Sequence, residues 1–491
     1  MRQRAWAVGV VLALMSAGCG ARHSAANRQL ALRAALGQGN GSSSGLSSRA
    51  AVEGTTADDS TGAGVASGDA GAAGGASSTG GGTTGAGGAA SSGSGGSTGS
   101  GGAAAGSVAN GGATDVGVTG DRVVIANISS ISGISPGLFK TAQVATKAYA
   151  AMVNAEGGVF GRKLDVLAMD SKLDASEDRL RAIQACKDAF AQVGSAEAFD
   201  DGGAPETAKC KMPDIRAFAA TGGRAESPTT FSAAAVQSRR YPLGWPKYVA
   251  RTHPQAIKNT AIFWISAATT EATKNRMKKA YESVGFKFVY EQAVQVVEAN
   301  FAPYVVEMRR RGVTDVMMVS DVGTQSRLQD AMRQQAFKPE VQDWLSTAYD
   351  PAYIARNGAN AEGTLVQMTT AMLEEADKIP EVAKYLQWAD RVDPGGRRDI
   401  YGLLGWSASM MFVEGLEAIG PKATRAALLG WLGNLHRWDG NGVGPMVDPA
   451  GRLPTDCTLY VTVKNGKFVR LYPQGGGFTC GEAGTVDVSK V

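Results

Sequence analysis

Histidine is almost missing from this chain: three stand among 491 residues, at His23, His253 and His436. So few imidazoles leave little scope for a histidine-built metal centre or a histidine proton relay. No H-E-x-x-H metalloprotease pattern, Walker-type phosphate loop or paired-cysteine metal motif occurs. The adjacent carboxylates Asp200 and Asp201 point apart on an extended backbone, so they do not face each other across a scissile bond. No catalytic constellation, metal or cofactor is therefore expected, and the chain is read as a non-enzyme. Long apolar runs are scarce as well. The one near the start, Ala5 to Met15, falls far short of the roughly 20 residues that span a bilayer. Charge of one sign is not concentrated either. A net +4 spread over the chain argues against a nucleic-acid partner. The single basic run, Arg309-Arg310-Arg311, closes a predicted helix, where positive charge complements the carbonyl end.

What the chain has in excess is glycine and its small companions. Arg2 and Arg4, the apolar stretch and then Ser16-Ala17-Gly18-Cys19 form the parts of a secretory leader. A cysteine straight after small residues resembles the lipobox of bacterial lipoproteins. Residues 1–18 are expected to be the leader and Cys19 the acylated first residue, anchored at the outer face of the cell membrane; an ordinary leader with an incidental cysteine is the other reading. From about Gly37 to Ala113 nearly every residue is Gly, Ser, Ala or Thr. Such a segment cannot bury enough apolar surface to offset its ordering entropy. Residues 19–113 are thus expected to be a flexible tether, whose Gly-rich part spans roughly 45–50 Å.

Four cysteines remain beyond Cys19, as two sequence-local couples. Their spacing is neither a zinc pattern nor a redox pair. In an exported chain, Cys186–Cys210 and Cys457–Cys480 read as disulfides, each closing a loop worth roughly 3 kcal/mol in the chain-entropy picture.

The roughly 375 residues after the tether exceed one compact core and suit two lobes. Strand and helix alternate. Arg122 to Ser130 and Lys163 to Asp170 read as strands, Lys140 to Asn154 as a helix stopped by Gly157-Gly158, and Asp174 as the cap of the next helix. Ile215 to Ala219 reads as another buried strand. The pattern restarts with strands Thr260 to Ser266, Phe286 to Val294 and Val313 to Ser320, separated by helices Glu271 to Val284 and Phe301 to Arg311. A long helix, Ile400 to Ile419, and a hairpin, Leu459 to Leu471 turning at Asn465-Gly466, complete the chain. The fold class is α/β: two doubly wound, Rossmann-like lobes with parallel sheets.

On these residues the chain resembles the type I periplasmic binding proteins, and among them the branched-chain amino-acid-binding lipoproteins of ABC importers. The resemblance rests on Ile131-Ser132-Gly133 with Pro136-Gly137 and on Val153 to Leu164 (VNAEGGVFGRKL). It extends to Asn300 to Asp321 and to Tyr401 to Gly420, and covers about residues 119–472. It implies lobes joined by a three-crossing hinge, a ligand in the cleft, a permease partner and a monomeric chain. Lobe 1 would take residues 114–250 and 366–435, and lobe 2 residues 251–365 and 436–491. The implied function is capture of a small polar, amino-acid-like solute by hinge closure. A sensing receptor of the same fold, or a structural lipoprotein with a degenerate cleft, are the alternatives.

Ligand contacts are expected where such lobes gather them, at the carboxyl ends of parallel strands. The candidates are Ser132, Asp200, Asp201, Thr221, Gly222, Thr269, Thr270, Asp321 and Tyr349. Family members that bind amino acids hold the ligand carboxylate with small hydroxyl residues after the third strand. Here that place reads Phe199-Asp200-Asp201, which would repel a carboxylate, so a neutral or cationic ligand suits it equally well. Each candidate has a plainer reading too. Asp200 or Asp201 could cap a helix from Ala204, Asp321 one from Thr324, Thr221 and Thr270 could be turn residues, and Trp406 and Tyr401 helix core.

Overall fold

The computed structural model describes residues 110–490; the leader, Cys19 and the tether through residue 109 lie outside them. From Arg122 the chain runs β1 (Arg122–Ser129), α1 (Lys140–Ala155), β2 (Lys163–Asp170), α2 (Ala175–Asp188) and β3 (Ala191–Val193). It continues as α3 (Ala204–Lys209), β4 (Asp214–Arg216), α4 (Gly222–Ala225) and β5 (Thr230–Ser232). These five strands form one parallel sheet in the order β2-β1-β3-β4-β5. β6 (Arg240–Pro242) and α5 (Gly244–Thr252) then lead into β7 (Thr260–Ile265), α6 (Ala268–Glu282), β8 (Phe288–Val294), α7 (Ala302–Arg310) and β9 (Asp315–Val319). α8 (Val322–Gln334), β10 (Val341–Trp344), α9 (Pro351–Asn357) and β11 (Leu365–Met368) follow. Three helices, α10 (Pro380–Val392), α11 (Ile400–Ile419) and α12 (Arg425–Leu432), precede β12 (Leu459–Lys464), β13 (Lys467–Tyr472) and β14 (Thr485–Asp487).

The second sheet has the order β13-β12-β11-β10-β9-β7-β8. Its members β7 to β11 are parallel, and the hairpin β12–β13 extends it antiparallel. Both parallel sets share one winding, with the order reversing between β1 and β3 and between β7 and β9. At such reversals the loops after the strands part and leave a crevice.

The first lobe's core joins β1 and β3 to α1, α11 and α12. α1 and α11 lie close because Gly405 has no side chain: a Cβ there would stand 2.7 Å from the Ala142 carbonyl oxygen. The Asn-Ala-Glu-Gly-Gly turn has a local cause. Asn154 donates to the Leu164 carbonyl (2.8 Å) and accepts from the Leu164 N–H (2.7 Å), clamping the end of α1 onto β2. Gly158 sits at φ 78°, and a Cβ on it would strike the Arg162 carbonyl at 2.1 Å. Arg162 is itself buried and donates to the carbonyls of Thr119 and Pro421.

Both disulfides form as read. Cys186–Cys210 ties the end of α2 to the end of α3, and Cys457–Cys480 ties the two ends of the β12–β13 hairpin. Arg425, at the start of α12, donates to the carbonyls of Cys186, Ala189, Phe190 and Cys210, closing the first bridge onto the lobe.

Several boundaries differ from the expectation. α6 begins at Ala268 rather than Glu271, so Thr269 and Thr270 belong to its first turn. The strand expected at Ile215–Ala219 is Asp214–Arg216, because Phe218 to Thr221 turn into the crevice wall. Tyr241, Trp245 and Val249 pack in the second lobe's core, ahead of the seam drawn at 250/251. The seam at 365/366 falls inside β11, a strand of the second sheet, while Trp438, Val443 and Val447 pack in the first core. The chain passes between lobes after β5, again between β11 and α10, and a third time before β12. No helix among the described residues is long and apolar enough to cross a membrane.

Candidate ligand-binding cleft

Between the two sheets lies a cavity of about 340 Å³. That volume is at the lower end of the roughly 300–1,000 Å³ that small-molecule sites occupy. Every parallel strand bordering the two reversals contributes the loop after its carboxyl end. Leu138 and Phe139 follow β1, Phe199 follows β3, and Phe218 to Gly222 follow β4. From the second lobe come Ile265 at the end of β7 with Ala267, Thr269 and Thr270 beyond it, Val319 at the end of β9 with Ser320 and Asp321, Leu345 to Thr347 after β10 and Thr369 after β11.

The expected residues divide. Thr221, Gly222, Thr269, Thr270 and Asp321 line the cavity. Ser132 does not: it is exposed and its hydroxyl donates to Asp170 at 2.5 Å. Asp200 does not either, and the reason is electrostatic. It is fully buried, 3.5 Å from the Arg216 guanidinium, and accepts from the N–H groups of Ala220 and Thr221 and from the Thr221 hydroxyl. A buried carboxylate must be paired and hydrogen-bonded, and Asp200 meets that need by holding the wall instead of the ligand. Nor does it cap α3, whose first N–H groups have no side-chain acceptor; Asp178 takes the Gly203 N–H instead. Asp201 is exposed and outside the lining. Tyr349 is buried, bonded through its hydroxyl to Glu374 and the Leu373 N–H, and borders a separate small recess with Asp350 and Arg397.

Asp321 has both roles. It lines the cavity and caps α8, accepting from Gly323 N (2.8 Å), Thr324 N (3.1 Å) and the Thr324 hydroxyl (2.6 Å). Thr221 caps α4 by accepting from Arg224 N, and the Thr270 hydroxyl donates to the carbonyls of Ile265 and Ala267. Asp350, next to the candidate Tyr349, is ion-paired to Arg397 at 3.2 Å and caps α9. Trp406 is core, as read, but Tyr401 is not: it lines the cavity and packs edge-on against Phe139 at 4.7 Å.

Most of the remaining wall is apolar. Phe139, Phe199, Phe218, Tyr401, Ile400 and Leu404 cover the first-lobe side; Ile265, Val296, Val319 and Leu345, with Tyr241 and Trp245, cover the other. A lining so rich in hydrocarbon favours a ligand with a substantial apolar body. Two of its residues were not singled out in the sequence. Arg276 lies one turn beyond Thr273 on the α6 face that Thr269 begins, a spacing of i, i+4, i+7, but nothing in the chain separates it from the neighbouring lysines. Gln367 stands on β11 and donates to both oxygens of Asp343 and to the Tyr281 hydroxyl. Burial pushes Asp343 up to about 7.

Behind the first-lobe wall, Glu197 receives the hydroxyls of Ser130 and Ser171 and the Phe199 N–H. Burial pushes its carboxyl up to about 7, against those hydrogen bonds.

Two doubly wound lobes with a crevice at both strand reversals define a hinged binding protein, and the sequence comparison agrees. Residues 122–467 match the family described as periplasmic binding protein, and the chain belongs to that family. Solved structures share its fold at low identity. A fatty acid ABC transporter substrate-binding protein from Thermomonospora curvata is 17% identical, with TM-score 0.64 over 76% of this chain and 96% of that one. A branched-chain amino acid ABC transporter protein from Thermus thermophilus with bound valine is 14% identical, with TM-score 0.63 over 74% and 97%. A leucine binding protein from Thermotoga maritima is 15% identical, with TM-score 0.60 over 71% and 97%. No curated protein sequence matches the chain.

Proposed function

We propose that this protein is the substrate-binding lipoprotein of an ABC importer, closing its lobes on one small solute and presenting it to a permease. The observation that carries the reading is the shared cavity, walled by strand-end loops of both sheets. The same observation favours a working cleft over the degenerate one of a structural lipoprotein. The solute proposed has a mainly apolar body, in place of the small polar one that the chain alone suggested, because aromatic and aliphatic side chains supply most of the wall. Among proteins of this fold, one is described as serving fatty acids and others branched-chain amino acids, both with apolar bodies. Anchoring through Cys19, the tether that follows it and a monomeric state belong to the same proposal, motivated by the leader pattern and by a cleft completed within one chain.

Closure has a direct test. A solute that binds the closed form better than the open one shifts the population toward it. Scattering should show a smaller radius of gyration on adding an apolar solute that also raises the melting temperature. At a hundredfold excess over Kd the stabilisation is about 2.7 kcal/mol. Binding without compaction would count against the hinge mechanism.

A further inference from the structure

Among the described residues, only two that line the cavity carry a formal charge, Arg276 and Asp321. Their situations differ. Asp321 accepts two N–H groups and a hydroxyl at the start of α8, so its charge is already compensated by its own helix. The Arg276 guanidinium forms no ion pair among the described residues, and its one side-chain hydrogen bond runs to the Thr273 hydroxyl at 3.1 Å. It is half-buried beside Tyr241, and burial lowers its affinity for its proton with no carboxylate nearby to offset the cost. Protein structures rarely leave a desolvated guanidinium without an anion, because the charge loses hydration and gains no partner. The two charges also have different aromatic neighbours on the wall: Asp321 acts on Tyr401, whereas Arg276 acts on Tyr241.

A second observation limits where on the wall an anion can sit. Gln367 is 2% exposed and lines the cavity, and its side-chain oxygen has no hydrogen-bond partner. Its nitrogen is committed to Tyr281, which lies on the same helix as Arg276, and to Asp343. The lining therefore carries a guanidinium without an ion pair and one unpaired acceptor, with mainly apolar side chains along the rest. The acceptor keeps an anion off β11 and leaves Arg276 as its seat.

We propose, on the footing that this cleft is the solute site, that its ligand is an apolar monocarboxylate, held with its carboxylate on the Arg276 guanidinium and its hydrocarbon body against Phe139, Phe218 and Tyr401. The fork geometry of arginine matches a carboxylate with two parallel N–H···O bonds. A zwitterionic amino acid fits less well, since Asp321, the carboxylate among the described lining residues, is already engaged by two N–H groups of its own helix and by the Thr324 hydroxyl.

The test compares matched pairs that differ only in head-group charge: octanoate with octanamide, and 3-phenylpropanoate with its amide, alongside leucine. Calorimetry on the full chain should find each carboxylate bound at least tenfold tighter than its amide. Arg276→Gln should abolish that preference, costing the carboxylates at least tenfold more than the amides. Arg276→Lys should keep part of it. Arg276→Met should melt no lower than the parent, which separates lost binding from lost folding. Equal binding of acid and amide by the parent, or an unchanged preference in Arg276→Gln, would overturn the carboxylate seat. If the amides still bind and compact the protein in that case, the cleft function stands without it. Leucine bound more tightly than either acid, and unaffected by Arg276→Gln, would also overturn it. If none of these solutes binds or compacts the protein, the cleft reading falls and this inference with it.

Discussion

Asp200 and Glu197 stand three residues apart after β3, and burial has different consequences for each. Asp200 belongs to a buried network with Arg216, Arg224, Asp178 and Asp214, in which each carboxylate meets a guanidinium within 4 Å. Removing one member would leave an uncompensated buried charge, so the network fixes the wall loops at 199–203 and 220–224. Glu197 has hydroxyls and an amide but no such ion pair, so the folded protein favours its neutral form. The sign follows from linkage. With a folded value near 7 and an unfolded value near 4.5, the contribution is fully present below pH 4.5 and is lost as pH rises through 7. The swing is on the order of 3 kcal/mol. Glu197→Gln, which cannot ionise, should therefore melt close to the parent at pH 5 and clearly above it at pH 8. Melting curves across that range check it, and a constant offset at both pH values would contradict the assignment. At this scale the sequence was only partly legible. Asp321 and Thr221 were readable as strand-end polar residues. Arg276 was not, because its significance lies in the partner it lacks, and that depends on which distant residues fold around it.

Elements with long apolar runs or clear caps were legible: β1, β2, β7, β9, α1, α11 and the hairpin turning at Asn465-Gly466. β3 and β5 are three residues each, too short for periodicity to register, and they are strands because the sheet pairs them; β4 was read from its apolar residues, but with its end too far along the chain. The β6–β14 ribbon joins segments more than 240 residues apart, a pairing no local pattern announces. Helix packing gives the element-scale prediction. A methyl group at Gly405 would press on Ala142 backbone atoms at 2.7 to 3.2 Å, and backbone yields less than a side chain. Gly405→Ala should lower stability by about 1–3 kcal/mol despite alanine's better helix propensity. Urea unfolding measures it. An unchanged midpoint would mean that α1 and α11 can move apart at no cost, and with them Leu138, Phe139 and Tyr401 on the cavity wall.

For the whole molecule, the contact that spans the lobes near the cleft is Arg397. It pairs with Asp350, which caps α9 of the second lobe, and with Asp399, which caps α11 of the first, at 3.2 and 3.1 Å. It also donates to the Gly137 and Leu138 carbonyls beside the cavity. Both carboxylates are nearly buried, and without the guanidinium they would repel across the seam. Arg397→Ala should enlarge the radius of gyration of the unliganded protein, and Arg397→Ala with Asp350→Asn should partly restore it. Scattering on the three proteins decides between this and a purely local role, in which none of the curves would differ. The β6–β14 ribbon has a consequence of another kind. It brings the last residues of the chain back to the first passage between lobes, and α11, from the far end of the sequence, completes the first core. Neither lobe is a continuous piece of chain, so order of synthesis does not set order of folding. A nascent chain that has not yet reached α11 lacks part of both cores, and contacts so distant in sequence form slowly. Such a topology delays compact folding until α11 and then β12 to β14 are made, which keeps a polypeptide threadable for longer than two lobes built from consecutive segments would.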